Sequence, residues 1–159
     1  MRPHNARMPN LHVRRARADD IATVESLYRL LVPGDMNIRI DARRVCELED
    51  NPENYLFVLE ADGVVRGTAF LTICLDPMYG FLPYGVVENV IVEPTMRGAG
   101  GGRALMEAIE KTARAKRCTK IMLLSSTTRT DAHAFFVRLG FDGEKKRGFV
   151  RYLNRDTTS

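Results

Sequence analysis

The chain has 159 residues, 45% hydrophobic and 28% charged, with a formal net charge of +4. A domain of this size buries roughly 70% of the surface its unfolded chain exposes, enough for a core without disulfide or metal staples. The three cysteines, Cys46, Cys74 and Cys118, lie far apart with no CxxC spacing and no histidine pair nearby. That pattern argues against a zinc site and a disulfide framework, and it suits a reducing cytoplasm. No apolar run approaches the ~20 residues of a membrane span, and the N-terminus lacks the apolar core of a signal peptide. Part of the basic excess sits at the ends, in Arg2, Arg7, Arg14, Arg15 and Arg17 and again in Lys145, Lys146 and Arg147. Such a balance fits a polyanionic ligand as well as solvated surface. No interleaving of aromatic and basic residues supports a nucleic-acid partner.

In chain order, residues 1–10 read as a disordered leader and 11–155 as one domain. "LHVRRA" (11–16) alternates as a strand, and "ADDIATVESLYRLLV" follows as a helix that Asp19 or Asp20 can cap. Pro33-Gly34 stops it, and "DARRVCELEDN" (41–51) reads as a short second helix. "YLFVLEADGVVRGTAFLTICL" (55–75) places two β-rich runs around Asp62-Gly63, the dipeptide of a tight hairpin. "GVVENVIVE" (85–93) is a further strand, ended by Pro94. Residues 103–117 carry a helical stripe through Leu105, Ala108, Ile109 and Thr112. "KIMLLSS" (120–126) reads as a buried strand, "TDAHAFFVRLG" (130–140) as a helix with Gly140 at its end, and "GFVRYL" (148–153) as a last strand. This order implies an α/β (α+β) domain with a mixed, mostly antiparallel central sheet flanked by helices.

The stretch "RGAGGGR" (97–103) puts glycines where a helix begins, although each costs roughly 0.5–1 kcal/mol relative to alanine in ordered structure. A strand leading through glycines into a helix N-terminus is a device for holding phosphate. The first turn has unpaired N–H donors and partial positive charge, and missing Cβ atoms let the backbone approach the anion. A P-loop would need Lys-Ser or Lys-Thr after the run, and none is present. A dinucleotide fingerprint would need a third glycine where Arg103 stands. It would also need a carboxylate about 20 positions on, where Cys118, Thr119 and Lys120 are found.

The pattern that matches is Arg/Gln-x-x-Gly-x-Gly/Ala, carried by Arg97-Gly98-Ala99-Gly100-Gly101-Gly102. With the strand before and the helix after, "ENVIVEPTMRGAGGGRALM" resembles the acetyl-CoA motif of the GNAT superfamily of N-acetyltransferases. "DAHAFFVRLGF" (131–141) is similar to that superfamily's later helix-and-turn signature. The resemblance covers roughly residues 11–153. It implies a single-domain GNAT-like fold and acetyl-CoA as cosubstrate, with no metal. The pyrophosphate of coenzyme A would lie on the N–H groups of Gly98, Ala99, Gly100, Gly101, Gly102 and Arg103, with charge added by Arg97 and Arg103. The pantetheine arm would pair with main-chain groups of Val90, Ile91 and Val92 as an added strand. An N–H near Val92 would face the thioester oxygen and stabilise a tetrahedral oxyanion. Arg129 and Phe136 fall at further cofactor-side positions of the signature.

The acceptor implied is a primary amine on a small molecule or peptide, and a homodimer is a further option. An alkylamine with a pKa near ~10 must lose a proton before it attacks. Glu88 is the candidate base: it interrupts the run "VVENVIV" and matches a position that is often glutamate in the family. By alternation it shares a face with Val86, Val90 and Val92, and the competing reading is a solvent-facing carboxylate. One departure matters. The signature often carries tyrosine, a proton source for the leaving thiolate, where this chain has Phe136. Likewise Arg129 stands where asparagine is common. A thiolate with pKa near ~8.5 can leave unaided, or Tyr79 or Tyr84 could supply a proton. His133 reads as a packing or hydrogen-bonding residue. The apolar loop 75–85, with Met78, Tyr79, Phe81, Leu82 and Tyr84, reads equally as an acceptor pocket, a dimer contact or a lid on the core. Arg39, Arg43 and Arg44 hint at an anionic acceptor or form basic surface. A catalytically silent acyl-CoA-binding regulatory domain is the competing functional reading.

Overall fold

The computed structural model describes residues 7–153. Residues 1–6 of the expected leader and 154–155 at the expected domain end lie outside the described part. The described residues fall into two compact units, divided between Leu123 and Leu124.

The first unit is built on a five-stranded sheet in the order β1-β2-β3-β4-β5. Its strands are β1 (Leu11–Arg15), β2 (Asn54–Ala61), β3 (Val64–Cys74), β4 (Tyr84–Val92) and β5 (Ile121–Leu123). The first four pair antiparallel, and β5 lies parallel to β4. The hairpin between β2 and β3 turns on Asp62 and Gly63, whose φ angles of 51° and 82° are the doubly positive pair such a turn demands. The sheet is therefore the mixed, mostly antiparallel one that the sequence implies.

Helices α1 (Ile21–Leu31) and α2 (Ala42–Glu49) bury one apolar face against the sheet. There Val24 and Val45 join Leu56, Val58 and Ala16, with Tyr28 and Phe70 packed at the margin. Helix α3 (Gly101–Ala115) packs on β1 to β4, burying Leu105, Met106, Ile109 and Ala113. Leu59, Leu71 and Val87, each at most 1% exposed, form the sheet side of the core. At ~25 cal/mol per Å², such fully buried aliphatic side chains contribute about 2 kcal/mol each.

Two expectations are corrected. Asp20 precedes α1 but makes no side-chain cap bond to it. Its carboxylate turns back, accepting from the Arg17 N–H at 2.8 Å and from the Arg14 guanidinium at 2.7 and 2.9 Å. A short 3-10 turn at Ala18–Asp20 makes room for that ion pair. The strand read at 120–126 shrinks to Ile121–Leu123, all half-buried.

The second unit contains α4 (Thr130–Arg138), which ends where Gly140 takes φ 91°. The strand expected at 148–153 does not form. No ladder pairs it among the described residues, and Phe149, Val150, Tyr152 and Leu153 are 60–87% exposed. A β-rich hexapeptide does not hold strand geometry unless another strand satisfies its backbone.

The Arg14–Asp20 pair sets a pH dependence. Hydrogen bonding to Arg14 holds the Asp20 carboxyl below its ordinary value of 3.8. Its stabilising contribution is therefore complete above that value and lost as pH falls through the lower folded one. Asp20→Asn is expected to cost about 2 kcal/mol at neutral pH, with the gap from wild type closing below about pH 4 in denaturant titrations.

Candidate active site

The glycine segment is positioned by what precedes and follows it. β4 ends at Val92, and Glu93 is pinned by its own N–H to the Arg66 carbonyl at 2.8 Å and by its carboxylate to the Arg66 guanidinium at 2.8 Å. Pro94–Met96 then makes a 3-10 turn, and Ala99 N–H closes onto the Met96 carbonyl at 3.1 Å. Gly98 and Gly100 take φ of 77° and 83°, a region in which a Cβ is costly. Gly101 is required for a different reason. A Cβ there would lie 2.6 Å from Leu59 Cδ2 and 3.3 Å from Val92 Cγ1, so its absence lets α3 start directly on the sheet.

The first helical bond runs from Ala104 N–H to the Gly100 carbonyl. Among the described residues, no protein acceptor meets the N–H groups of Gly98, Gly100, Gly101, Gly102 or Arg103. This is a row of free donors at the positive end of a 15-residue helix. Arg97 makes no ion pair among the described residues, and Arg103 only a loose one with Glu107 at 4.0 Å. The nearby Glu93 carboxylate is already committed to Arg66. The loop offers donors and positive charge, a set that fits a diphosphate.

β4 presents the second element. On its β5 side only Gly85, Val86 and Val87 are paired, to Ile121, Met122 and Leu123. From Glu88 to Val92 that edge has no strand partner among the described residues. Val90, Ile91 and Val92 are half-buried there, and Ile91 and Val92 pair with Thr68 and Gly67 on the other side.

The alternation expected along β4 fails midway. Phe70 opposes Glu88 while Thr68 opposes Ile91, so Asn89 and Val90 together oppose Ala69 in a β-bulge. Asn89 takes φ 55°. Beyond the bulge the faces exchange: Glu88 keeps the side of Phe70 and the α1–α2 cluster, while Val92 touches the start of α3. Glu88 therefore shares its face with Val86 but not with Val92. The bulge has no signal in the residue pattern, because it is a property of register. Glu88 is exposed, with no ion pair among the described residues.

The other candidates are placed as follows. Tyr84 opens β4, eight residues before Val92 and roughly 25 Å of strand away. Tyr79, Leu82, Thr119 and Lys120 line an open hollow of about 270 Å³ beside Tyr84. Within the second unit, Arg129 occupies the N-cap of α4 without a side-chain cap bond. Phe136 is 7% exposed, with its ring 5.2 Å from Phe135 and 5.8 Å from Phe141. It is a packing residue. His133 donates from Nε2 to the Ser126 carbonyl at 2.8 Å, the hydrogen-bonding role expected of it. Among the described residues no cluster could hold a metal ion, and no helix is long and apolar enough to cross a membrane.

The fold agrees with what comparison with known proteins shows. The profile of the Acetyltransferase (GNAT) family matches residues 24–141. The chain belongs to this family and is an acyltransferase. It is 29% identical to an IAA acetyltransferase of Azospirillum brasilense over 140 residues, 84% of this chain and 86% of that one. It is 33% identical to a glucosamine 6-phosphate N-acetyltransferase of Trypanosoma brucei brucei over 92 residues, 58% of this chain and 60% of the relative. The chain thus spans less than two thirds of the trypanosome protein. Among solved structures, an Agrobacterium tumefaciens str. C58 protein assigned as an acetyltransferase superposes with a TM-score of 0.78 at 28% identity, covering 89% of this chain and 99% of that one. The aminoglycoside N-acetyltransferase AAC(6')-Iy, solved with CoA, shares the fold at TM-score 0.74 and 24% identity, covering 92% and 97%.

The two kinds of glycine should respond differently. Gly101→Ala is expected to lower stability by about 2 kcal/mol through its clash with buried Leu59. Gly98→Ala, with nothing within 4 Å of the new Cβ, should cost only about 1 kcal/mol of backbone strain. Urea midpoints of the two variants check the order, and equal midpoints would contradict it.

Proposed function

We propose that this acyltransferase moves an acetyl group from acetyl-CoA directly to a primary amine of a small molecule, with Glu88 as the base. The observation that carries the reading is the pair of unsatisfied backbone surfaces on consecutive elements. One is the set of free N–H groups of Gly98 and of Gly100 to Arg103, the Ala99 N–H being bonded to the Met96 carbonyl. The other is the open β4 edge from Glu88 to Val92.

Acetyl-CoA, when bound, supplies an acyl group already activated as a thioester. The chain's own residues do the rest. The N–H groups of Gly98, Gly100, Gly101, Gly102 and Arg103 bind the diphosphate, and Arg97 and Arg103 add charge at its rim. Main-chain groups of Val90, Ile91 and Val92 orient the pantetheine amides as an added strand. A donor on that edge near Val92 holds the thioester oxygen where negative charge develops. Glu88, exposed beside the open edge, takes a proton from the incoming ammonium, directly or through one water. The amine acceptor class is supported by relatives named for glucosamine 6-phosphate and aminoglycosides. A cytoplasmic site of action suits the three separate free cysteines.

With acetyl-CoA and a panel of sugar amines, polyamines and amino acids, thiol release is expected for at least one acceptor. Tight binding with no release from any acceptor would favour a silent acyl-CoA-binding domain. On the accepted amine, Glu88→Gln should lower kcat by about 10²-fold or more, with coenzyme A affinity within about twofold of wild type. Equal activity of the variant from about pH 6 to pH 9 would remove Glu88 as base.

A further inference from the structure

Between Glu88 and Glu107 the chain carries a single acid, Glu93. It stands at the junction of the β4 edge and the glycine loop, where a negative charge works against anion binding. Val92 Cγ1 comes within 3.3 Å of where a Cβ on Gly101 would lie. Adding the covalent lengths between them keeps the Cα atoms of Glu93 and Gly101 within roughly 11 Å of each other. That is about one screening length (~10 Å at 0.1 M salt), so a bare carboxylate here would be felt by an anion on the donor row.

The carboxylate is not bare. Its Oε2 accepts from the Arg66 guanidinium at 2.8 Å and from the Thr95 hydroxyl at 3.4 Å. The junction does not need that ion pair to hold together. The Arg66 carbonyl already takes the Glu93 N–H at 2.8 Å. One residue inward Gly67 pairs with Val92, and β3 and β4 lie so close there that a Cβ on Gly67 would meet the Ile91 carbonyl at 3.0 Å. An ion pair between two partly exposed side chains adds little stability to such a backbone-held junction. What it changes is charge. Arg97 makes no ion pair among the described residues, and Arg103 has only its loose contact with Glu107. With Glu93 masked, these two cations set the sign of the loop; with Glu93 bare, one of them is cancelled.

We infer that Arg66 is a positioning residue of the coenzyme A site. It holds the Glu93 carboxylate against β3 and cancels its charge, so that the donor row meets a diphosphate with a positive field. The inference rests on the function proposed above, in which the N–H groups of Gly98 and of Gly100 to Arg103 bind that diphosphate. Arg66 itself need not touch either substrate.

The test is calorimetric titration of coenzyme A into the full chain and four variants. Arg66→Met keeps the length of the side chain without its charge. It should weaken binding about fivefold at ~0.1 M salt, and the loss should shrink below about twofold at ~0.5 M, where charges are screened at shorter range. Glu93→Gln breaks the same ion pair from the other side, yet it should bind as tightly as wild type or up to about threefold tighter. The double variant should return to within about twofold of wild type. Arg66→Lys, which keeps the charge, should also stay within about twofold.

Equal losses in Arg66→Met and Glu93→Gln, unrelieved in the double variant, would make the pair a structural brace and overturn the inference. Wild-type affinity in Arg66→Met, or a deficit that persists at high salt, would overturn it as well. Should Arg66→Met not fold, weakened binding by folded Glu93→Gln would overturn it alone. Wild-type protein that binds no coenzyme A would instead remove the proposed function, and the role of Arg66 with it.

Discussion

A helix that begins on a sheet with no side chain between them is the constraint on which this molecule depends. Gly101 sits so close to Leu59 and Val92 that even a methyl group would collide. The approach anchors the first turn of α3 to the centre of the buried core. Gly98 and Gly100, in left-handed conformations, then lead the chain through the turn before the helix. What results is a set of backbone donors with no partner of their own, held rigidly because their support is the core itself. Donors of this kind gain little from folding and become useful only toward an outside anion.

The second constraint is the mismatch in length between β4 and β5. A strand that outruns its neighbour leaves a bare edge, which proteins usually cover or blunt. Here the bare segment starts where β5 stops and ends where the glycine turn begins. The bulge at Asn89 lies inside it and reverses the faces on either side. A carboxylate at Glu88 and a backbone edge at Val90–Val92 are thereby brought onto adjoining surfaces. Regular pleating would have placed Glu88 and Val92 on one face. Edge, bulge and donor row make up one continuous stretch of chain, residues 88–103.

The parts legible in the sequence are those for which one residue type has one physical use. Asp62-Gly63 announced its turn because few pairs accept two positive φ angles. The glycine run announced a loop because both left-handed turns and close packing exclude a Cβ. The apolar stripe of α3 and the first two strands of the hairpin followed from their periods. What remained hidden depends on partners distant in the chain. Asn89 looks like an ordinary polar strand residue, and its bulge exists only through the register with β3. Asp20 has the chemistry of a helix cap, yet Arg14 across the turn competes for its carboxylate and prevails. Residues 148–153 have strand composition, and composition alone supplies no partner for their backbone.

Titrating coenzyme A into the isotope-labelled full chain while following each backbone amide tests the central claim most directly. The account predicts saturable shifts concentrated at Gly98–Arg103 and along Val90–Val92, with the amides of β1 and β2 nearly still. Saturable binding with those segments unmoved, or no binding at millimolar ligand (roughly −4 kcal/mol of affinity), would contradict it.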